Sequence, residues 1–240
     1  MIPILGLIVL LVSAVGLASV ALSFDDVRAG TNGTPRFTFA PEPTSDPGLG
    51  ALTLPASPAV LIVGDSYELG HGIEFTGEES WGPRLVSIMG WSNVRFDSVG
   101  GTGMAQNVGG PAYTDRLRSV GTDFVPDLVL IQGSVNDIKS APEDVVSKTK
   151  EAVAIVAERW PNAATVVVGP ITADDYYQRL EDSYADGVGR NAYMIDAMTW
   201  LPKDRPDLRT VDLWHPSVEG HKVIATEMAN AINALTIPSV

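Results

Sequence analysis

Three side chains in this sequence have the chemistry of a nucleophilic hydrolase: Ser66, Asp212 and His215. A serine hydroxyl is a poor nucleophile at neutral pH; it needs a base, and the base needs a group to orient it. Gly64-Asp65-Ser66 closes the apolar run Ala59-Val60-Leu61-Ile62-Val63, and near the C-terminus the chain reads Asp212-Leu213-Trp214-His215-Pro216-Ser217. Alone, the tripeptide reads equally well as a strand-ending turn whose Asp or Ser caps the next helix. The chain has 3 histidines, so one beside an Asp is informative. His221 falls within the expected last helix, as a surface or structural residue. His71 follows Ser66 closely enough to line a cleft.

Two further segments could hold developing negative charge. Ser98-Val99-Gly100-Gly101-Thr102-Gly103 is a glycine-rich loop, and glycines let a backbone N–H approach a ligand closely. A plain flexible loop is the alternative. A dinucleotide fingerprint fails because Gln106 stands at the third glycine position. In Gly133-Ser134-Val135-Asn136-Asp137, the Asn136 amide could donate to an oxyanion while Asp137 caps the turn. Neither a His-Glu-x-x-His segment nor a histidine cluster with ligand spacing occurs, so neither a metal nor another cofactor is expected. A Gly-x-Ser-x-Gly elbow and a Gly-rich loop ending in Lys-Ser/Thr are also missing from the sequence, which disfavours an α/β-hydrolase and a phosphate-binding enzyme.

Positioning these residues falls to alternating short apolar runs and helical patterns. Strands are expected at Ala59–Val63, Val94–Val99, Leu128–Gln132, Thr165–Gly169 and Arg209–Leu213. Helices are expected at Trp81–Met89, Tyr113–Val120, Glu143–Trp160, Asp186–Trp200 and Ser217–Leu235. In the third of these, Val145, Thr149, Ala152, Val153, Val156 and Trp160 form one stripe, with Pro142 at the start and Pro161 as the stop. Such alternation implies right-handed crossovers and a parallel sheet covered on both faces. Ligands of an open α/β sheet bind beyond the carboxyl ends of its strands. Ser66, the glycine loop, Asn136 and the Asp212–His215 loop each follow a different expected strand, so all four should meet on that edge.

Composition bounds the rest. Of 240 residues, 45% are hydrophobic and 19% charged, which excludes a disordered chain. The net charge is −13, of which residues 24–58 carry −2 (four acids against two arginines), leaving −11 on residues 59–240. A surface so acidic repels phosphate backbones, so no nucleic-acid partner is expected. With 0 cysteines, disulfides and thiolate metal sites are excluded. Ile2 to Leu22 is an uncharged apolar stretch long enough to span a bilayer, so residues 1–23 read as a membrane anchor. A signal peptide cleaved near Ser19-Val20-Ala21 and the tail of a longer membrane protein are the alternatives. Residues 24–58, rich in Pro and Gly, read as a tether reaching on the order of 30 Å. Residues 59–240 form the expected globular domain. The setting is therefore extracytoplasmic, anchored or secreted, with membrane contact through the N-terminal segment only.

The four segments in this order resemble the SGNH hydrolases, also called GDSL esterases/lipases, over about Ala59 to Ala234. The resemblance implies a flavodoxin-like three-layer α/β/α sandwich with a five-stranded parallel sheet. It implies Ser66 as nucleophile, Asp212 and His215 as the Asp-x-x-His pair, and Ser66, Gly103 and Asn136 as oxyanion donors. The third block has one residue more than the usual Gly-x-Asn-Asp, and the second begins with Ser98 where Asn is common, leaving Gly101 as an alternative to Gly103. The activity implied is hydrolysis of an ester on a small molecule, glycan or lipid. Acetyl transfer to a glycan hydroxyl and a non-catalytic binding domain on the same fold are the alternatives.

Overall fold

Val60, Leu61, Ile62 and Val63 are fully buried in the first strand, β1 (Ala59–Gly64), and the pattern repeats in β3 (Leu128–Gly133) and in most of β4 (Ala164–Pro170). Strands covered on both faces need apolar residues at successive positions, which is why these runs do not alternate. Each such buried Leu, Ile or Val contributes about 1.5–3 kcal/mol relative to exposure. β2 (Asn93–Ser98) is half exposed, as suits an edge. A fifth strand, β5 (Tyr193–Ile195), completes an all-parallel sheet of order β2-β1-β3-β4-β5. This is the flavodoxin-like order, whose switch point lies between β1 and β3.

The computed structural model describes residues 49–74, 76–172 and 177–236. The helices are α1 (Ser66–Leu69), α2 (Thr76–Glu79), α3 (Trp81–Met89), α4 (Tyr113–Ser119), α5 (Pro142–Arg159), α6 (Gln178–Val188) and α7 (Val218–Thr236). α3 packs with α7, while α5 packs against both α4 and α6. Right-handed crossovers from this strand order put those two groups on opposite faces of the sheet. The longest amphipathic pattern is realised as expected: α5 starts on Pro142 and buries Val145, Thr149, Ala152, Val153 and Val156.

Two expectations are corrected. Arg209–Leu213 is not a strand: it makes a single antiparallel bridge, Arg209 to Pro216, and Val211 is wholly exposed. The last strand is instead Tyr193–Ile195, inside the stretch expected to be a helix over Asp186–Trp200. Gly189, at φ 57°, ends α6, and the three apolar residues of β5 pair with Val166–Val168. The Asp212–His215 segment is thus reached by a long connection after β5 that includes a 3₁₀ turn at Pro206–Leu208.

The expected anchor, residues 1–23, lies outside the described residues, as does most of the expected tether. Among the described residues no helix is long and apolar enough to cross a membrane. The end of the tether segment is part of the core: Leu52 is buried, and its N–H donates to the Leu235 carbonyl at 2.8 Å.

Candidate active site

Asp65 sets the geometry at the end of β1. Its side chain accepts from the Tyr67 N–H at 2.8 Å, capping the single turn α1 and leaving Ser66 at its first position. Across the cleft, Asp212 organises its own loop. Asp212 Oδ1 accepts from Thr210 Oγ1 at 2.6 Å and from the Trp214 and His215 N–H groups at 2.8 and 3.0 Å. The turn forces Leu213 to φ 60°, the one non-glycine residue at positive φ among those described. Such a conformation costs roughly 1–2 kcal/mol, offset here by the carboxylate's three hydrogen bonds.

The two loops meet through the imidazole. His215 Nδ1 lies 2.7 Å from Asp212 Oδ2, and His215 Nε2 lies 3.1 Å from Ser66 Oγ. Partial burial acts to raise the Asp212 pKa, but the hydrogen bonds from His215, Thr210 and Trp214 outweigh it. They hold its carboxyl well below the usual range. An ionised carboxylate only accepts, so Nδ1 carries the proton and Nε2 is left to accept from the Ser66 hydroxyl. Tyr67 joins the loops a second time, its hydroxyl donating to the Trp214 carbonyl at 2.6 Å. His71 is exposed, with its ring centroid 4.6 Å from that of His215. His221 is fully buried instead: its Nδ1 accepts from the Trp81 N–H at 3.2 Å, and burial pushes its pKa down to about 4.

The glycine loop is placed differently from the expectation for Gly103. Its N–H donates to the Gln106 carbonyl at 2.9 Å, so it is already engaged. Gly103 is required for close packing, since a Cβ there would sit 2.5 Å from the Asp137 carboxylate oxygens. Gly100 runs beside the serine: a Cβ added to it would lie 3.6 Å from Ser66 Cβ. The Asn136 amide faces three acceptors: Ser134 Oγ at 2.9 Å, the Thr102 carbonyl at 3.2 Å and Asp65 Oδ2 at 3.3 Å. It therefore links the serine turn to the glycine loop.

A buried polar network behind these loops has no counterpart among the sequence-based expectations. Asp137, expected to cap its own turn, reaches the neighbouring loop and accepts from the N–H groups of Met104, Ala105 and Gln106 at 2.8–3.0 Å. The Tyr184 hydroxyl donates to the same carboxylate and accepts from the Ser134 N–H at 2.9 Å. Asp65 accepts in turn from Ser134 Oγ at 2.5 Å and Gln132 Nε2 at 2.8 Å. Arg116 ties β1 to β2, donating to the Gly64 carbonyl at 2.8 Å and to Asp97 Oδ1 at 2.9 Å. Burial raises the pKa of both Asp65 and Asp137 against the pull of their hydrogen bonds. Among the described residues no group of three or more His, Asp or Glu side chains could hold a metal ion.

Two buried glutamates give the fold a pH dependence. Burial first, then neighbouring acids, pushes Glu68 and Glu181 up to about 8 from the ordinary 4.5. Between those values the folded chain keeps protons that the unfolded chain releases. Their contribution to stability is therefore complete below about pH 4.5 and lost as pH rises through 8. Urea unfolding at pH 5 and pH 8 is expected to show lower stability at pH 8, with a smaller difference in Glu181→Gln. An unchanged difference in the variant would contradict this assignment.

A 2-1-3-4-5 parallel sheet with Ser, His and Asp in hydrogen-bonded sequence at its carboxyl edge has the architecture of the SGNH-type hydrolases. The chain belongs to the GDSL-like lipase/acylhydrolase family, which matches residues 62–223. A GDSL lipase from Mycobacterium tuberculosis is 28% identical over 190 residues, covering 72% of this chain and 81% of the relative. Among solved structures, a psychrotrophic esterase from a Pseudoalteromonas species superposes with TM-score 0.61 at 18% identity, over 73% of this chain and 97% of the other. A family two carbohydrate esterase from Clostridium thermocellum, solved in complex with cellohexaose, gives TM-score 0.61 at 19% identity, over 76% and 66%. The chain is an ester hydrolase on the SGNH fold.

Proposed function

We propose that this chain is a serine esterase that removes short acyl groups from an extracytoplasmic carbohydrate or lipid through a covalent acyl-enzyme. The observation that carries the reading is the unbroken relay from Ser66 Oγ to His215 Nε2 at 3.1 Å and from His215 Nδ1 to Asp212 Oδ2 at 2.7 Å. Ser66 attacks the ester carbonyl as His215 takes its proton, giving a tetrahedral oxyanion. The imidazolium then protonates the departing alcohol, leaving the acyl group on Ser66. Water, deprotonated by the same imidazole, hydrolyses that ester and restores the serine. Asp212 keeps the imidazole in the correct tautomer and stabilises its cation.

The oxyanion falls to the Ser66 N–H, the Asn136 amide and a backbone N–H of the Gly100–Gly101 turn; Gly103 is replaced in that role because its N–H is engaged. Asn136 supplies its donor by exchanging its longest contact, that to Asp65, for the substrate oxygen. One such donor is typically worth about 3 kcal/mol of transition-state stabilisation. Asp212→Asn presents a group that no longer fixes the tautomer, and kcat for p-nitrophenyl acetate is expected to fall by about 10³–10⁴-fold. Turnover within a few-fold of the parent would rule out Asp212 as the orienting group.

The apolar stretch from Ile2 to Leu22 supports an extracytoplasmic setting, anchored or secreted. Protease added to intact cells is expected to digest the domain. Protection until lysis would place it inside.

A further inference from the structure

Asn136 can serve an oxyanion only if its amide is aimed, and one hydroxyl is placed to aim it. Ser134 is fully buried just past the end of β3, where it caps the 3₁₀ turn that carries Asn136. Its Oγ donates to Asp65 Oδ2 at 2.5 Å. It accepts from the Asn136 backbone N–H at 3.1 Å and from the Asn136 side-chain amide at 2.9 Å. A hydroxyl has one proton and two lone pairs, so these three contacts fill it. Both Asn136 contacts come from N–H donors, and Asp65 is the only acceptor of the three. The proton therefore points to Asp65 and the lone pairs to Asn136.

The hydroxyl is a fixed point rather than a free rotor. Asp65 receives four donors: Tyr67 N–H and Gln132 Nε2 on Oδ1, Ser134 Oγ and Asn136 Nδ2 on Oδ2. From the other side, the Ser134 N–H donates to the Tyr184 hydroxyl at 2.9 Å, and the next residue, Val135, is buried. The Asn136 amide then has two hydrogens for three acceptors. The contact to Ser134 is the shortest, while the Thr102 carbonyl and Asp65 Oδ2 lie at 3.2 and 3.3 Å. The NH₂ group is planar, so pinning one N–H on Ser134 sets the line of the other. That other N–H is the one able to leave a longer contact for an oxyanion.

We propose that Ser134 is the positioning residue of the oxyanion hole: its hydroxyl, oriented by Asp65, anchors one N–H of Asn136 so that the second is presented to the oxyanion formed at Ser66. The proposal rests on the acyl-enzyme reading above and adds to it the group that orients the side-chain donor. Asp65 thereby serves both halves of the site, capping the turn that carries Ser66 and, through Ser134, aiming Asn136. Ser134 exchanges no proton with the substrate and acts only through Asn136.

The test is a double-mutant cycle in the full-length chain, with kcat and KM for p-nitrophenyl acetate measured per folded protein in Ser134→Ala, Asn136→Ala and the double variant. Asn136→Ala is expected to lower kcat by about 10²–10³-fold, the usual loss for one oxyanion donor. Ser134→Ala is expected to lower kcat by about 10-fold with KM within about 2-fold, because a misaimed donor weakens the transition state and not the bound ester. In the Asn136→Ala background the same change is expected to cost less than about 2-fold. A merely structural role, exerted through Asp65 and the serine turn, would cost the same factor in both backgrounds. Ser134→Cys fills the space with a weak donor and acceptor and is expected to lose kcat as Ser134→Ala does, which keeps the comparison open if the alanine variant fails to fold. An unchanged kcat in either Ser134 variant, a loss confined to KM, or equal losses in the two backgrounds would overturn the proposal. Those results leave the esterase reading intact, which fails only if turnover persists in Ser66→Ala. Parent-like kcat in Asn136→Ala would remove Asn136 as a donor and the proposal with it.

Discussion

Ser66→Ala is expected to lower kcat/KM of the full-length chain for p-nitrophenyl acetate by about 10⁴-fold or more, and His215→Ala by a comparable factor. The reason is geometric. With Ser66 Oγ 3.1 Å from His215 Nε2, proton removal and attack are one event, and either partner alone is of little use. Combining the two substitutions should therefore cost hardly more than either one, because groups acting as a unit are not additive. Neither side chain carries much of the core: Ser66 and His215 are only part-buried, and the hydrogen bond between them crosses the cleft. Unfolding transitions are accordingly expected to stay close to the parent, which separates a chemical loss from a folding loss. A strictly additive double variant would indicate that Ser66 and His215 act in separate steps.

Asp137→Ala is expected to have the largest effect on stability, about 3–5 kcal/mol, since it leaves three backbone N–H groups and the Tyr184 hydroxyl without their acceptor in a buried site. For a domain of this size that lowers Tm by roughly 10 °C or more. Activity should fall even where the variant is folded, because residues 104–106 continue directly from the glycine turn beside Ser66. Asp137→Asn is expected to recover only part of the loss: the amide keeps one acceptor but turns N–H donors toward backbone donors. Thermal unfolding followed by circular dichroism checks this. A Tm within 2–3 °C of the parent would mean that solvent replaces the carboxylate at little cost.

These two cases mark what could be read in the chain and what could not. Ser66, Asp212 and His215 were legible because each sits in a short local pattern: an apolar run ending in a turn, and an Asp three residues before a His at the start of a helix. β1, β3 and β4 were legible because strands buried on both faces must be continuously apolar. β5 was not. Three residues between a glycine-terminated helix and a loop carry no period, whereas the alternation of Arg209–Leu213 imitates a strand although Val211 is bare to solvent. The network of Asp65, Ser134, Asp137, Tyr184 and Arg116 was invisible for a different reason. Ser134 and Asp137 are neighbours in the chain, but their partners lie tens of residues away, and a polar side chain gives no local sign of a partner on another element. Gly103 belongs to the same lesson: it reads as a ligand-facing glycine, but the nearby carboxylate is what excludes a side chain there.

The most direct measurement labels the nucleophile. The full-length chain is treated with a p-nitrophenyl alkylphosphonate, which transfers its alkylphosphonyl group to an activated serine and releases p-nitrophenol, and the modified peptide is mapped by mass spectrometry. The expected result is one equivalent of p-nitrophenol per chain, loss of esterase activity in proportion, and a single adduct on Ser66 that His215→Ala suppresses. Full inactivation with the adduct on another residue, or an unmodified Ser66 in inactivated protein, would contradict the assignment of Ser66 as the nucleophile.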